Sequence, residues 1–129
     1  MAEITLQKKR PKYLDVAKIR LPLPGIVSIL HRVSGAGLFL FLPFLLWLLD
    51  RSLESTASFD QFKAVVGNPL TKLLLLGLLW AFLHHFCAGI RFVLLDLHKG
   101  IELPCARRSA SIVVIVSLVL TVVIGVTLW

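Results

Sequence analysis

Three long apolar runs separated by short polar pieces set the pattern of this chain. The first covers about residues 26–49 and contains LFLFLPFLLWLL, the second covers 70–97, and the third covers 111–129. A helix crosses a bilayer in about 20 apolar residues, so each run predicts one transmembrane helix. The third is the plainest, built of Ile, Val, Leu and small polar residues without a charge, and predicts a lipid-facing scaffold helix. Pro43 lies within the first run and predicts a kink, because proline removes one intrahelical hydrogen bond. The fold class that follows is all-α, an integral membrane protein with three transmembrane helices.

Composition supports this. Hydrophobic residues make up 57% of the 129 positions and charged ones 16%, against roughly 45–50% and about 25% in soluble domains. A secreted disulfide scaffold, a disordered tail and an ordinary cytosolic enzyme are excluded. The net charge of +7 comes from bases at the ends of the apolar runs, a distribution that reports topology rather than a nucleic-acid partner. Residues 1–25 hold Lys8, Lys9, Arg10, Lys12, Lys18 and Arg20 against Glu3 and Asp15. Residues 98–110 hold Lys99, Arg107 and Arg108 against Glu102, whereas residues 50–69 hold Arg51 and Lys63 against Asp50, Glu54 and Asp60. Positive residues mark the cytoplasmic side. The expected order is therefore a cytoplasmic or interfacial arm (1–25), a span (26–49), a periplasmic loop (50–69), a span (70–97), a cytoplasmic loop (98–110) and a span (111–129). Pro22 and Pro24 are expected to break any helix in the arm and lay it along the membrane surface. The arm lacks the compact apolar region and A-x-A site of a cleavable signal, and it is not an organellar transit sequence. A bacterial inner membrane is the expected address.

Ionisable side chains inside a span cost about 2.5–3.5 kcal/mol each at the bilayer centre on insertion scales, which makes them candidates for function. Ser28, His31 and Arg32, in SILHRVSG, share one helical face by their i, i+3 and i+4 spacing, with Gly35 a turn deeper. They form a donor-rich patch at headgroup depth, suited to a carbonyl or carboxylate; the plainer reading is Arg and His snorkelling to lipid headgroups. The second group is HHFCAGIR, His84 to Arg91. His85 lies roughly 18–22 Å from either end of its run at 1.5 Å per residue. Gly89, one turn on, leaves room for a flat macrocycle, and Ala81 and Ala88 keep that flank small. Either His84 or His85 can serve as an axial haem ligand; the plainer reading is a buried histidine satisfied by a backbone carbonyl. His84 and Arg91 share another face, where Arg91 can meet a propionate, a neighbouring subunit's carboxylate or a lipid phosphate. No CxxCH occurs, so any haem is of the b type. Cys87 and Cys105 form no metal or disulfide pattern and are expected to be free thiols. With no iron–sulfur pattern, GxGxxG or P-loop, the chain lacks its own flavin or nucleotide machinery and is non-catalytic alone.

The combination of HRxSG at His31–Gly35 with HxxxGIR at His85–Arg91, together with RPKYLD at Arg10–Asp15, Asp96 and an apolar span after RRSA, resembles the large cytochrome b membrane-anchor subunit of bacterial succinate dehydrogenase (complex II). The resemblance runs over essentially the whole chain. It implies a heteromeric helical bundle with a second cytochrome b anchor subunit, and an iron–sulfur subunit and a flavoprotein subunit docked on the cytoplasmic face. It implies that His85 is an axial ligand of haem b, the second ligand coming from the partner anchor. Ser28 and Arg32 match residues lining a ubiquinone site, and His31 and Arg32 lie where the family approaches the haem propionates. Phe92 departs from the frequent GIRH, and His84 stands where an aromatic is often found.

The function implied is passage of electrons from succinate oxidation into the respiratory chain as part of a succinate:quinone oxidoreductase, within the tricarboxylic acid cycle. Two alternatives stand beside it: a haem-free structural anchor, and a fumarate reductase-type anchor working in reverse. A transporter or channel subunit using the histidines as a proton path is disfavoured, because Asp96, at the end of a span, is the sole acidic residue near the spans' interior.

Overall fold

The computed structural model describes residues 19–128; the RPKYLD motif, the bases from Lys8 to Lys18 and Trp129 lie outside the described residues. Four helices follow in order: α1 (Leu23–Leu53), α2 (Thr56–Gly67), α3 (Pro69–Asp96) and α4 (Leu103–Leu128). Three of them, α1, α3 and α4, are long and apolar enough to cross a membrane. At 1.5 Å per residue, the 31 residues of α1 reach about 46 Å. The short α2 cannot return the chain over that length, so α3 runs back alongside α1. The helix α3 packs against both α1 and α4, and α2 sits against the adjoining ends of α1 and α3.

Local chemistry sets the helix ends. Pro22 is the N-cap of α1 and Pro24 lies in its first turn, so these prolines start the helix instead of breaking it. Their missing N–H groups fall where no intrahelical partner exists, and Gly25 and Ile26 donate to the Pro22 carbonyl at 2.8 and 3.2 Å. The helix continues through Pro43 to Leu53. The polar stretch expected as a plain loop folds into α2. Ser55 caps it, accepting from the Ser58 N–H at 3.1 Å while Ser58 Oγ accepts from the Ser55 N–H at 2.8 Å. This is a capping box with serine in place of the usual Glu or Gln. Asn68 Oδ1 then caps α3 by accepting from Leu70 N–H, ahead of Pro69 in the first turn.

The connection from α3 to α4 is tight. Lys99 N–H reaches the Leu94 carbonyl and His98 N–H the Leu95 carbonyl, the paired bonds of a Schellman ending. Its left-handed position, normally glycine, is held by His98 with φ 58°. With Pro104 in its first turn, α4 begins at Leu103, ahead of the expected 111, so Arg107 and Arg108 ride on the helix rather than in a loop. Apolar content marks the membrane, whereas the helix extends past it into charged residues that oppose no packing.

The interior is thin and partly polar. Val27, Ala88, Ala110 and Val113 form the apolar centre, beside buried Ser34, His84, Arg91, Ser117 and Thr121. The buried hydroxyls are satisfied within their own helices: Ser117 donates to the Val114 carbonyl and Thr121 to the Ser117 carbonyl. Large apolar side chains such as Phe39, Leu40 and Val126 point outward. Small residues between helices let backbones approach when lipid removes the hydrophobic reason to bury large ones. Replacing His98 by Gly relieves the left-handed strain and is expected to stabilise the fold by about 1 kcal/mol, read as a rise in thermal unfolding midpoint of the detergent-solubilised protein.

Candidate functional site: a histidine stack between two helices

Where α1 meets α3, a pair of imidazoles lies face to face. The rings of His31 and His85 lie 4.1 Å apart between centroids and within 7° of parallel. His85 Nδ1 is 2.9 Å from the His31 carbonyl oxygen. A carbonyl only accepts, so Nδ1 carries the proton and donates, and the lone pair of His85 resides on Nε2. Ser34, buried, closes the arrangement: its hydroxyl donates to the same carbonyl at 3.0 Å and lies 3.3 Å from His85 Nδ1. His31 also meets the edge of Phe92, with centroids 5.1 Å apart at 62°. The position where the family often carries a histidine thus supplies an aromatic wall.

Two glycines frame the stack, each four residues after a histidine on its own helix and facing the histidine of the other. A Cβ at Gly35 would come within 2.7 Å of His85 Cε1, whereas one at Gly89 would rest 3.8 Å from His31 Nε2. Of these two, the steric demand for glycine within this chain therefore falls on Gly35. Gly89 faces a second space, an apolar groove of about 410 Å³ on the outer side of α3, lined by His85, Phe86, Gly89, Ile90, Val93 and Leu94. His85 is half-buried and reaches both: Nδ1 is tied to α1 while its ring borders this groove.

The other candidates separate. His84 is 0% exposed, enclosed by its own chain, with its ring centroid 5.3 Å from that of Trp80. Neither its ring nitrogens nor Trp80 Nε1 have a hydrogen-bond partner among the described residues. His84 is therefore closed to a ligand approaching from outside. Arg91, expected to reach a propionate, a partner carboxylate or a lipid phosphate, turns inward. Its Nε donates to Ser109 Oγ at 2.9 Å and its Nη2 to the Ala106 carbonyl at 3.2 Å, so it ties α3 to α4. The physical reason is proximity: the tight turn at His98 brings the first turns of α4 opposite Arg91, and bonds made inside the chain satisfy a charge that lipid would not. Ser28 is half-buried and Arg32 exposed, both near the start of α1, while His31 is drawn into the stack. Cys87 and Cys105 are free thiols. Sequence reasoning passed over Ser34 and the packing role of Gly35; the SG ending of HRVSG was the available signal.

The residues around His85 fit a haem. One ring nitrogen is held by a carbonyl, as in most histidine ligands of metals, and His85 borders an apolar groove lined by residues of α3. The model of the succinate dehydrogenase/fumarate reductase transmembrane subunit family matches residues 7–124. The chain belongs to that family. It is 38% identical to the succinate dehydrogenase cytochrome b556 subunit of Coxiella burnetii, over 96% of this chain and 100% of the relative. It is 31% identical to the subunit of that name from Paracoccus denitrificans, over 95% and 93%, and 28% identical to that of Rickettsia felis, over 94% of each. The expectation of an all-α succinate dehydrogenase cytochrome b membrane-anchor subunit is thereby met, and the chain is a multi-pass membrane protein that assembles with other subunits of the enzyme.

In this anchor, Gly35→Ala is expected to destabilise the α1–α3 contact by about 1–3 kcal/mol through overpacking against His85. Gly89→Ala is expected to cost less than about 1 kcal/mol, since its Cβ makes ordinary contact. Thermal unfolding of the two solubilised variants checks the order.

Proposed function

We propose that this anchor gives haem b one axial ligand through His85, shares that haem with the partner anchor, and forms part of the ubiquinone-reduction site through Ser28 and Arg32. The observation that carries the haem reading is the 2.9 Å approach of His85 Nδ1 to the His31 carbonyl. It fixes the tautomer with the lone pair on Nε2 and adds electron density to the ring. Gly89 and the apolar side chains of Phe86, Ile90 and Val93 give a flat surface beside the ligand. The open side of that groove is left for the partner anchor and its ligand. Haem b bound there supplies a one-electron store close to the quinone. His31 and Arg32, on the same end of α1, would hold the propionates, with His31 itself held by its stack on His85 and its edge contact with Phe92.

At the quinone, Arg32 and Ser28 act as donors. The guanidinium and the hydroxyl donate hydrogen bonds to a quinone carbonyl oxygen and stabilise the negative charge that develops there on reduction. The electrons come from succinate through the flavoprotein and iron–sulfur subunits, which dock on the side of the N-terminus and the α3–α4 turn. That side is cytoplasmic by the excess of bases in residues 1–25 and 98–110, and residues 50–69 then face the periplasm of a bacterial inner membrane. Relatives named for succinate dehydrogenase favour succinate oxidation as the working direction.

His85→Ala is expected to abolish the cytochrome b absorption of the assembled complex, and His84→Phe to leave it in place. A normal spectrum in His85→Ala, with the subunits still together on size-exclusion chromatography, refutes the ligand assignment. Arg32→Ala is expected to lower succinate:quinone turnover roughly 10–100-fold while succinate-dependent reduction of a soluble dye stays near wild type. Equal loss of both activities refutes a role at the quinone.

A further inference from the structure

Beyond the haem and quinone, the ends of α3 and α4 that meet at the His98 turn carry a second cavity. It is an apolar groove of about 600 Å³ running between the two helices, with Ile90 and Leu94 on one wall and Ile112 and Val116 on the other. From Arg108 to Val116 it follows α4 over nine residues, a rise of about 12 Å at 1.5 Å per residue, a length that suits the upper part of an acyl chain. Its mouth is basic. Lys99 and Arg108 line it, both exposed, and the first turn of α4 opens onto it at Cys105. At its floor lies Arg91, 6% exposed, with Nη1 free of any hydrogen-bond partner among the described residues. The nearby carboxylates, Asp96 and Glu102, are exposed and do not line the groove.

We propose that this groove is a binding site for an anionic phospholipid of the adjoining leaflet, with its phosphate between Lys99 and Arg108 and one acyl chain between α3 and α4. Three features converge on a phosphate. Two cationic side chains flank the mouth, a helix N-terminus directs its positive end there, and a buried guanidinium has one nitrogen unspent beneath it. Basic pockets between transmembrane helices on the cytoplasmic side recognise anionic headgroups by this charge pairing. The apolar walls select a lipid over free phosphate, because an inorganic ion would leave them in contact with water. A zwitterionic headgroup brings its own cation to a mouth that is already positive. The site depends on neither His85 nor the quinone donors.

The test uses the whole complex, purified in mild detergent and exchanged exhaustively, with retained phospholipid identified by mass spectrometry. Wild type is expected to keep an anionic phospholipid in stoichiometric amount. The double variant Lys99→Glu/Arg108→Glu, and separately Ile112→Trp, which fills the groove without altering charge, are each expected to lose it while the subunits stay assembled. In the delipidated wild-type complex, adding phosphatidylglycerol, but not phosphatidylcholine, is expected to slow maleimide labelling of Cys105 several-fold. Retention of the lipid by either variant overturns the proposal, as does equal protection by both lipids. A short cross-linker joining Cys105 to another subunit in native membranes also overturns it, because a protein then fills the groove.

Discussion

In a membrane interior the His85 Nδ1 proton has no water to turn to, and a carbonyl brought within reach is that of His31 on the neighbouring helix. A helix normally commits its carbonyls to its own backbone, so lending one to a side chain of another helix requires close approach. Gly35 permits that approach, since a methyl group there would overlap His85. The bond then sets the facing of α1 and α3 and the tautomer of the imidazole. In a low-dielectric setting an unpaired polar group is costly, which makes this contact hard to break once the helices have met. Ser34 adds a hydroxyl to the same carbonyl and helps keep the carbonyl and ring in register.

The second tie has the same logic with a different outcome. Arg91 spans from α3 to α4 through Ser109 and the Ala106 carbonyl, so a residue type that often contacts ligands serves the bundle here. The chain thereby divides its polar residues by facing. His31, Ser34 and His85 order the α1–α3 contact, His84 and Arg91 lie inside, and Ser28 and Arg32 stay near the surface at the start of α1. With so few large side chains enclosed, much of the apolar surface of α1, α3 and α4 is left for lipid and for the rest of the enzyme. That division suits a membrane subunit that assembles with other chains of its enzyme.

The relatives extend this reading without replacing it. A family match over residues 7–124 covers every helix nearly to its end. The named resemblance in HRxSG and HxxxGIR falls on the residues that the fold brings into one stack. Phe92 shows how a departure from the family pattern is absorbed, since it packs edge-on against His31. His84, at a position where aromatics are frequent, likewise sits among ring surfaces beside Trp80.

Hydrophobic run length alone determined that three helices cross a membrane, because about 20 apolar residues have no other stable setting. Motif spacing also brought out His31, His85, Ser28 and Arg32, since polar residues inside apolar runs are conspicuous. Helix ends were less legible: α2 rests on a Ser–Ser capping box, α4 starts at Leu103 inside the expected loop, and Pro22 and Pro24 read as breakers until their missing N–H groups are seen to fall at the start of α1. Spacing along one helix could not decide which member of the HH pair faces outward, nor that Arg91 ties α3 to α4. Those outcomes depend on which neighbouring helix lies opposite each face, at a distance of a few ångströms, and only the packed bundle fixes that.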